Sequence, residues 1–233
     1  MSDMRMIKEI LPLIQLCDSN FPSGAFSHSF GLETYIQEDY VTTVEEFKQF
    51  LHVYILKSLT YTDGLGCRIA YDLAAEQKLE ELWGLDEVLY ASCSSAESRE
   101  ASRRIGQQMA RICLVLYPSD TLADYQQKIK KKQCYGHPAL VFALVCYELT
   151  ISRELAVMSC LYAGVSSLIQ NAVRGIPLGQ TDGQLLLLWA HEVIQSAVEV
   201  VEGLSESALG RTQPGLEIAQ MRHEQLHVRL FMS

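Results

Sequence analysis

Residues 139–149, ALVFALVCYEL, constrain the fold of this chain more than any other segment. They follow Gly136-His137-Pro138, a break that closes one helix and opens the next, and positions 139–146 offer no polar residue to face water. A helix that is apolar all round has to be surrounded by other helices. This run and the second long apolar stretch, residues 185–190, both fall far short of a membrane span.

The surrounding sequence supplies those helices. Thr43 and Glu46 form a T-x-x-E capping box, followed by Phe47, Phe50, Leu51, Tyr54 and Ile55 on one face. A further helix is expected from about Asp63 through Tyr71 to Glu76. Ser95 or Ser98 caps another, which carries Arg99, Arg103 and Arg104 on one side, Met109, Ile112, Cys113 and Leu116 as its apolar stripe, and stops before Pro118. Residues 122–132 form the next. Ser152 caps a helix that runs to about Val173 and is closed by Gly175 and Pro177. Thr181 or Asp182 caps the last long one, which ends at Gly203.

No alternating segment bounded by hairpin turns is found. The expected fold is therefore an all-α, single-domain bundle of roughly eight to ten helices. Residues 1–210 form the helical domain, and 211–233 a C-terminal tail reached through a Gly/Pro connector. The apolar side of the tail would carry Leu216, Ala219, Leu226 and Leu230. A terminal helix this short is marginal alone, so it either docks on the bundle or is ordered by a partner.

The stretch 11–36 is the second unusual segment. An apolar half-helix breaks into a turn rich in Gly, Ser and Pro that carries Phe21, Phe26, His28 and Phe30. Water-exposed loops avoid such rings, so this one is packed, or docked onto something.

Composition narrows the function. A net charge of −9 argues against a non-specific nucleic-acid binder. Seven cysteines without a CxxC pair, and an N-terminus lacking the apolar core of a signal peptide, favour reduced thiols and the cytoplasm. No phosphate-binding glycine motif occurs. The segment 175–183 reads as a helix-to-helix corner, where Gln180, Thr181 and Asp182 can be presented to a partner. Residues 223–227 match HExxH, which on a helix sets two histidines one turn apart for zinc, with Glu224 as general base. No third ligand or substrate-binding strand accompanies them. His223 and His227 therefore remain only weak candidates for a nickel- or zinc-binding pair, and no complete catalytic constellation is present.

Four blocks in order, FPSGAFSHSFGLE at 21–33, GHPALVFA at 136–143, the segment from Tyr162 through NAVRGIPLGQTDG, and PGLEIAQMRHE continuing to Arg229-Leu230-Phe231, resemble the UreF family of urease accessory proteins along nearly the whole chain. His28 departs from the family pattern, in which a tyrosine ring is usual. The resemblance implies a non-enzymatic chaperone for nickel insertion into apo-urease. It would be an all-α homodimer without a cofactor of its own, acting in the cytoplasm with neither nucleic acid nor membrane as partner. Nickel and GTP would be handled by its partners, a UreD/UreH-type scaffold subunit and the GTPase UreG, whose hydrolysis it modulates. The resemblance also implies a partner-binding role for the tail and for Phe26, His28, Glu33, Arg174, Gln180, Thr181, Asp182, Arg222, His223, Glu224, Arg229, Leu230 and Phe231. The alternative is a nickel-binding carrier built on His223 and His227.

Overall fold

The computed structural model describes the backbone of residues 3–233 and the side chains from Ile7 onward; the described residues form an all-α bundle without strands. The order is α1 (Asp3–Cys17), loop 18–31, α2 (Leu32–Gln37) and α3 (Val44–Tyr54), then a π-helical stretch (Ile55–Gly64) and α4 (Leu65–Ala75). There follow α5 (Leu79–Ser92), α6 (Ala96–Leu116), α7 (Asp120–Lys130), α8 (Pro138–Glu148), α9 (Arg153–Gly175), α10 (Gln180–Gly203) and α11 (Pro214–Arg222). Short 3₁₀ turns lie at Ala25–Ser27, Glu206–Ala208 and His223–Gln225.

The caps act as their chemistry requires. Glu46 N–H donates to Thr43 Oγ1 at 3.3 Å while Thr43 N–H donates to the Glu46 carboxylate at 3.0 Å. Ser95, Ser119 and Ser152 each accept an orphan amide of the helix they open. At the 175–183 corner the expected cap is corrected. Gly179 occupies the cap position, and Asp182 acts from the first turn, accepting the Gly179 amide at 3.0 Å.

Helix α8 is the centre of the bundle, with residues 139–146 all buried. It packs against α4, α6, α7 and α9. Helix α9 in turn packs on α10, α4, α8 and α1. By length and composition α9 is apolar enough to cross a membrane, which uninterrupted apolar runs do not reveal; here it is a core helix, with Val157, Leu161, Val165 and Leu168 inside protein.

Three elements differ from expectation. The helices expected around Phe47 and Asp63 are one continuous rod, because residues 55–64 contain no residue that stops a helix and instead widen into a π stretch. Gly64 lets this stretch approach α9 and α10, where an added Cβ would meet Leu161 and Val201 at 3.1 Å. Helix α5 has no distinct cap at Lys78 and only a faint amphipathic pattern, so it did not stand out in the sequence. The tail is not one amphipathic helix: α11 ends at Arg222, and the residues past the 3₁₀ turn form no regular structure.

Buried Asp86 fixes the break before α8. Its carboxylate accepts from Tyr125 Oη at 2.6 Å and from the amides of Tyr135, Gly136 and His137 at 2.5, 3.2 and 2.9 Å. Four donors meet the needs of a buried anion that would otherwise be costly. The loop it holds lies against α6 at Gly106, where a Cβ would overlap the Gly136 carbonyl. Gly106→Ala should therefore lower the urea midpoint, at a cost of at least about 1–3 kcal/mol. Gly84→Ala, in an exposed part of α5 with no atom near the added methyl, should raise stability by about 0.5–1 kcal/mol in the same assay.

Candidate functional site

The aromatic loop and the tail form one structure. Residues 27–34 are mostly buried, so their backbone groups and the polar side chains of His28, Ser29, Glu33 and Thr34 need partners that the loop cannot supply itself. The tail supplies them. Ser233 O accepts from the Ser29 and Phe30 amides at 2.5 and 3.2 Å and from Ser29 Oγ at 2.8 Å. His28 Nδ1 pairs with Ser233 Oγ at 2.9 Å, and Met232 N–H donates to Ser27 O at 2.8 Å. Along α11, Thr34 Oγ1 donates to Ala219 O at 2.7 Å, and Gln220 Nε2 to Phe30 O at 3.2 Å. Gly31, at φ +92°, lets α11 come this close, since a Cβ there would meet Gln220 Cγ at 2.9 Å.

Glu33 is the hub. It is 3% exposed; its carboxylate accepts from the Leu230 and Phe231 amides at 2.5 and 3.0 Å and pairs with His223 Nε2 at 2.9 Å. His223 is fully buried, and its Nδ1 reaches the Glu97 carboxylate at 2.6 Å. Two carboxylates on either side of one imidazole require two protons shared among the three groups, because ionised carboxylates only accept. Arg229 Nη1 completes the chain on Glu97 at 2.7 Å, and Arg222 pairs with Glu38 at 3.1 Å. Burial raises the Glu97 carboxyl, but the bonds from His223 and Arg229 outweigh it and hold it below the ordinary carboxylate range. Burial, aided by Arg104 and His223, pushes the His28 imidazole down.

A second junction holds the loop to α9. Asn171 Nδ2 donates to His28 O at 2.6 Å, and Arg174 bonds both Phe26 O and Asn171 Oδ1. The Arg174 guanidinium lies 5.0 Å from the Phe231 ring and 5.9 Å from that of Phe26.

The structure thus brings together Phe26, His28, Glu33, Arg174, His223, Arg229, Leu230 and Phe231, with Arg222 beside them. It leaves Gln180, Thr181 and Asp182 apart: the first two are exposed on α10, and Asp182 supports the Gly179 cap from the first turn. Glu224 and His227 are exposed. The HExxH-like match is not a helical pair, because regular helix stops at Arg222 and both nitrogens of His223 already face carboxylates. Among the described residues no three His, Cys, Asp or Glu side chains converge to hold a metal.

Glu97, Asn171, Ser29 and Ser233 were missed as site residues. Only Asn171 carried a signal, as a polar residue facing inward on an apolar helix. Glu97 reads as ordinary first-turn acid on α6.

Glu33→Gln puts an amide that can donate where two backbone N–H groups also donate. It should weaken tail docking by about 1–3 kcal/mol, read as faster hydrogen exchange at Leu230 and Phe231, with the bundle unchanged. Because the folded Glu97 value is depressed, its contribution is complete above the ordinary 4.5 and is lost as pH falls through the folded value. The amide shifts of Leu230 and Phe231 should therefore show an acid step that Glu97→Gln removes.

The UreF family profile matches residues 41–191. Curated relatives named urease accessory protein UreF align over almost the full length. That of Bacillus sp. (strain TB-90) is 51% identical over 97% of this chain and 100% of its own. That of Lachnoclostridium phytofermentans is 48% identical over 96% and 98%, and that of Geobacillus kaustophilus 47% over 97% and 99%. With identity at this level from end to end, and with the tail and loop blocks inside the aligned length, the chain belongs to the UreF family.

Proposed function

We propose that this protein is a urease maturation factor that works by contact and not by catalysis, bridging a UreD/UreH-type scaffold subunit and the GTPase UreG on apo-urease. In this reading nickel is inserted under GTP hydrolysis by UreG, and the chain modulates that hydrolysis. It acts as a cytoplasmic homodimer with no cofactor of its own.

The observation that carries the reading is the outer face of the docked tail. At the end of the tail Phe231 and Ser233 are buried, while Val228, Leu230 and Met232 are 72, 60 and 55% exposed; Phe26, 57% exposed, shares the Arg174 guanidinium with Phe231. A strip of large apolar side chains on a tail that is itself pinned by buried polar bonds is preorganised for a partner. Arg174, Glu33 and His223 set its position, and Leu230 and Phe26 supply contact area. Gln180 and Thr181, exposed at the start of α10, offer a separate polar face for a second partner.

Size-exclusion chromatography with light scattering, on the chain alone and then with scaffold subunit and GTPase from one urease operon, tests the reading. The three should co-elute, and truncation after Gly210 should abolish this. Leu230→Asp should leave the melting temperature unchanged and weaken scaffold binding on the order of tenfold or more, as expected for a central apolar contact. Full co-elution of both variants would remove the tail from the interface.

A further inference from the structure

Beneath the loop and tail lies a cavity of about 230 Å³, walled by α1, the loop, the π stretch, α6, α9 and α11. Its charge is one-sided. Asp18 after α1, Asp63 in the π stretch and Glu217 on α11 all border it, and among the described residues no lysine or arginine does. Asp18 is exposed, whereas Asp63 and Glu217 are half-buried. Each carboxylate accepts from a neutral neighbour: Asp18 from the Asn20 amide at 2.7 Å, Asp63 from Thr62 Oγ1 at 3.0 Å, Glu217 from Ser94 Oγ at 3.2 Å. A carboxylate offers about four acceptor sites, so these bonds leave capacity to spare and the charge unmatched. Ser98 on α6 is a second sign of an occupant. It lines the same cavity, is 2% exposed, and its hydroxyl has no hydrogen-bond partner.

The neighbouring groups do not relieve this charge. Burial, and after it the Glu217 and Asp63 carboxylates, push the Cys93 thiol up to about 11, so both acids bear on one wall. Arg99 opposes them there, but it donates to Cys93 O at 3.0 Å and lies over the Tyr90 ring, outside the lining. Burial, aided by Arg104 and His223, pushes the His28 imidazole down and keeps it uncharged at neutral pH. A cleft of one sign with apolar walls concentrates cations. Geometry then selects among them. Among the described residues no three His, Cys, Asp or Glu side chains converge to hold a metal, so these carboxylates are spaced for separate charges, not for one ion. The wall also carries Phe21, Leu59, Met109 and Phe142. Methylenes lie along such a surface as the stem of a lysine does, and ring faces attract ammonium groups.

We infer that this cavity is a binding site for a linear aliphatic polyamine, its ammonium groups on Asp18, Asp63 and Glu217 and its methylenes along Phe21, Leu59 and Met109. Asp63 belongs to the π stretch and Glu217 to the tail, so a bound polyamine ties the tail to the bundle and favours the docked form. Binding here is a property of the isolated chain and does not rest on the urease reading.

Spermidine, a linear triamine, and 1-propylamine, a monoamine, are the probes, with Mg²⁺ as the control for charge alone. In calorimetric titration of the full chain at fixed ionic strength, spermidine should bind saturably, one per chain, about tenfold tighter than propylamine or more. Mg²⁺ at the same molarity should not displace it. Asp63→Asn and Glu217→Gln should each weaken binding about fivefold, as loss of a charge-assisted bond requires. Ser102→Lys sets an ammonium group in the same lining and should abolish binding in a protein that still melts cooperatively. Bound spermidine should also slow hydrogen exchange along α11. Absence of saturable binding would overturn the site. So would equal affinity for propylamine, displacement by Mg²⁺, or undiminished binding in the two carboxylate variants or in folded Ser102→Lys protein. Saturable binding with unchanged exchange would overturn the link to the tail.

Discussion

A carboxylate buried nearly two hundred residues from its donors organises this protein. The buried Glu33 carboxyl group would be costly in the interior without the Leu230 and Phe231 amides and the His223 ring. Those groups in turn could not be buried without Glu33 and Glu97. The mutual need helps to place an irregular segment against the loop and the start of α2. Buried ion pairs are poor sources of net stability, because desolvation offsets most of the attraction, but they are strict about geometry. The same network thereby fixes which side of residues 228–233 faces outward.

The bundle beneath it follows different physics. Its helices are set by caps and by apolar stripes, which is why they were legible: Thr43 with Glu46, Ser95 and Ser152 mark starts that the structure reproduces, and the all-apolar run after Pro138 marks the centre. Local signals fail where the deciding interaction is not local. Nothing near residue 60 announces a π turn, since the extra width follows from how Gly64 meets α9 and α10. Asp182 was read as a cap because it stands next to a glycine turn; the backbone of Gly179 takes that position and leaves Asp182 the supporting bond.

The tail shows the limit more sharply. Leu216 and Ala219 are buried as the helical pattern requires, but Leu226 is only partly covered and Leu230 is exposed. The helical period does not hold beyond Arg222, and burial alternates only over the last four residues, Leu230 to Ser233. What ends the helix is the pull of Glu33 and Ser29 on the following amides and carbonyl, residues that no window around 226 contains. The two tail arginines, read from the resemblance as partner-binding, pair with Glu38 and Glu97 of this chain. Family resemblance named these residues, and only the fold shows which of them face each other.

The spacing of these bonds bears on how the protein is made. Glu33, Ser29 and His28 leave the ribosome long before residues 223–233 exist, so the loop must wait with its buried polar groups unmet while the rest of the bundle assembles. Contacts of this sequence separation form late and slowly. Closure of the loop accordingly needs residues 223–233 to be in place. A nascent or shortened product can own a complete hydrophobic core and still lack the finished surface, so display of that surface reports that synthesis has run through to the tail.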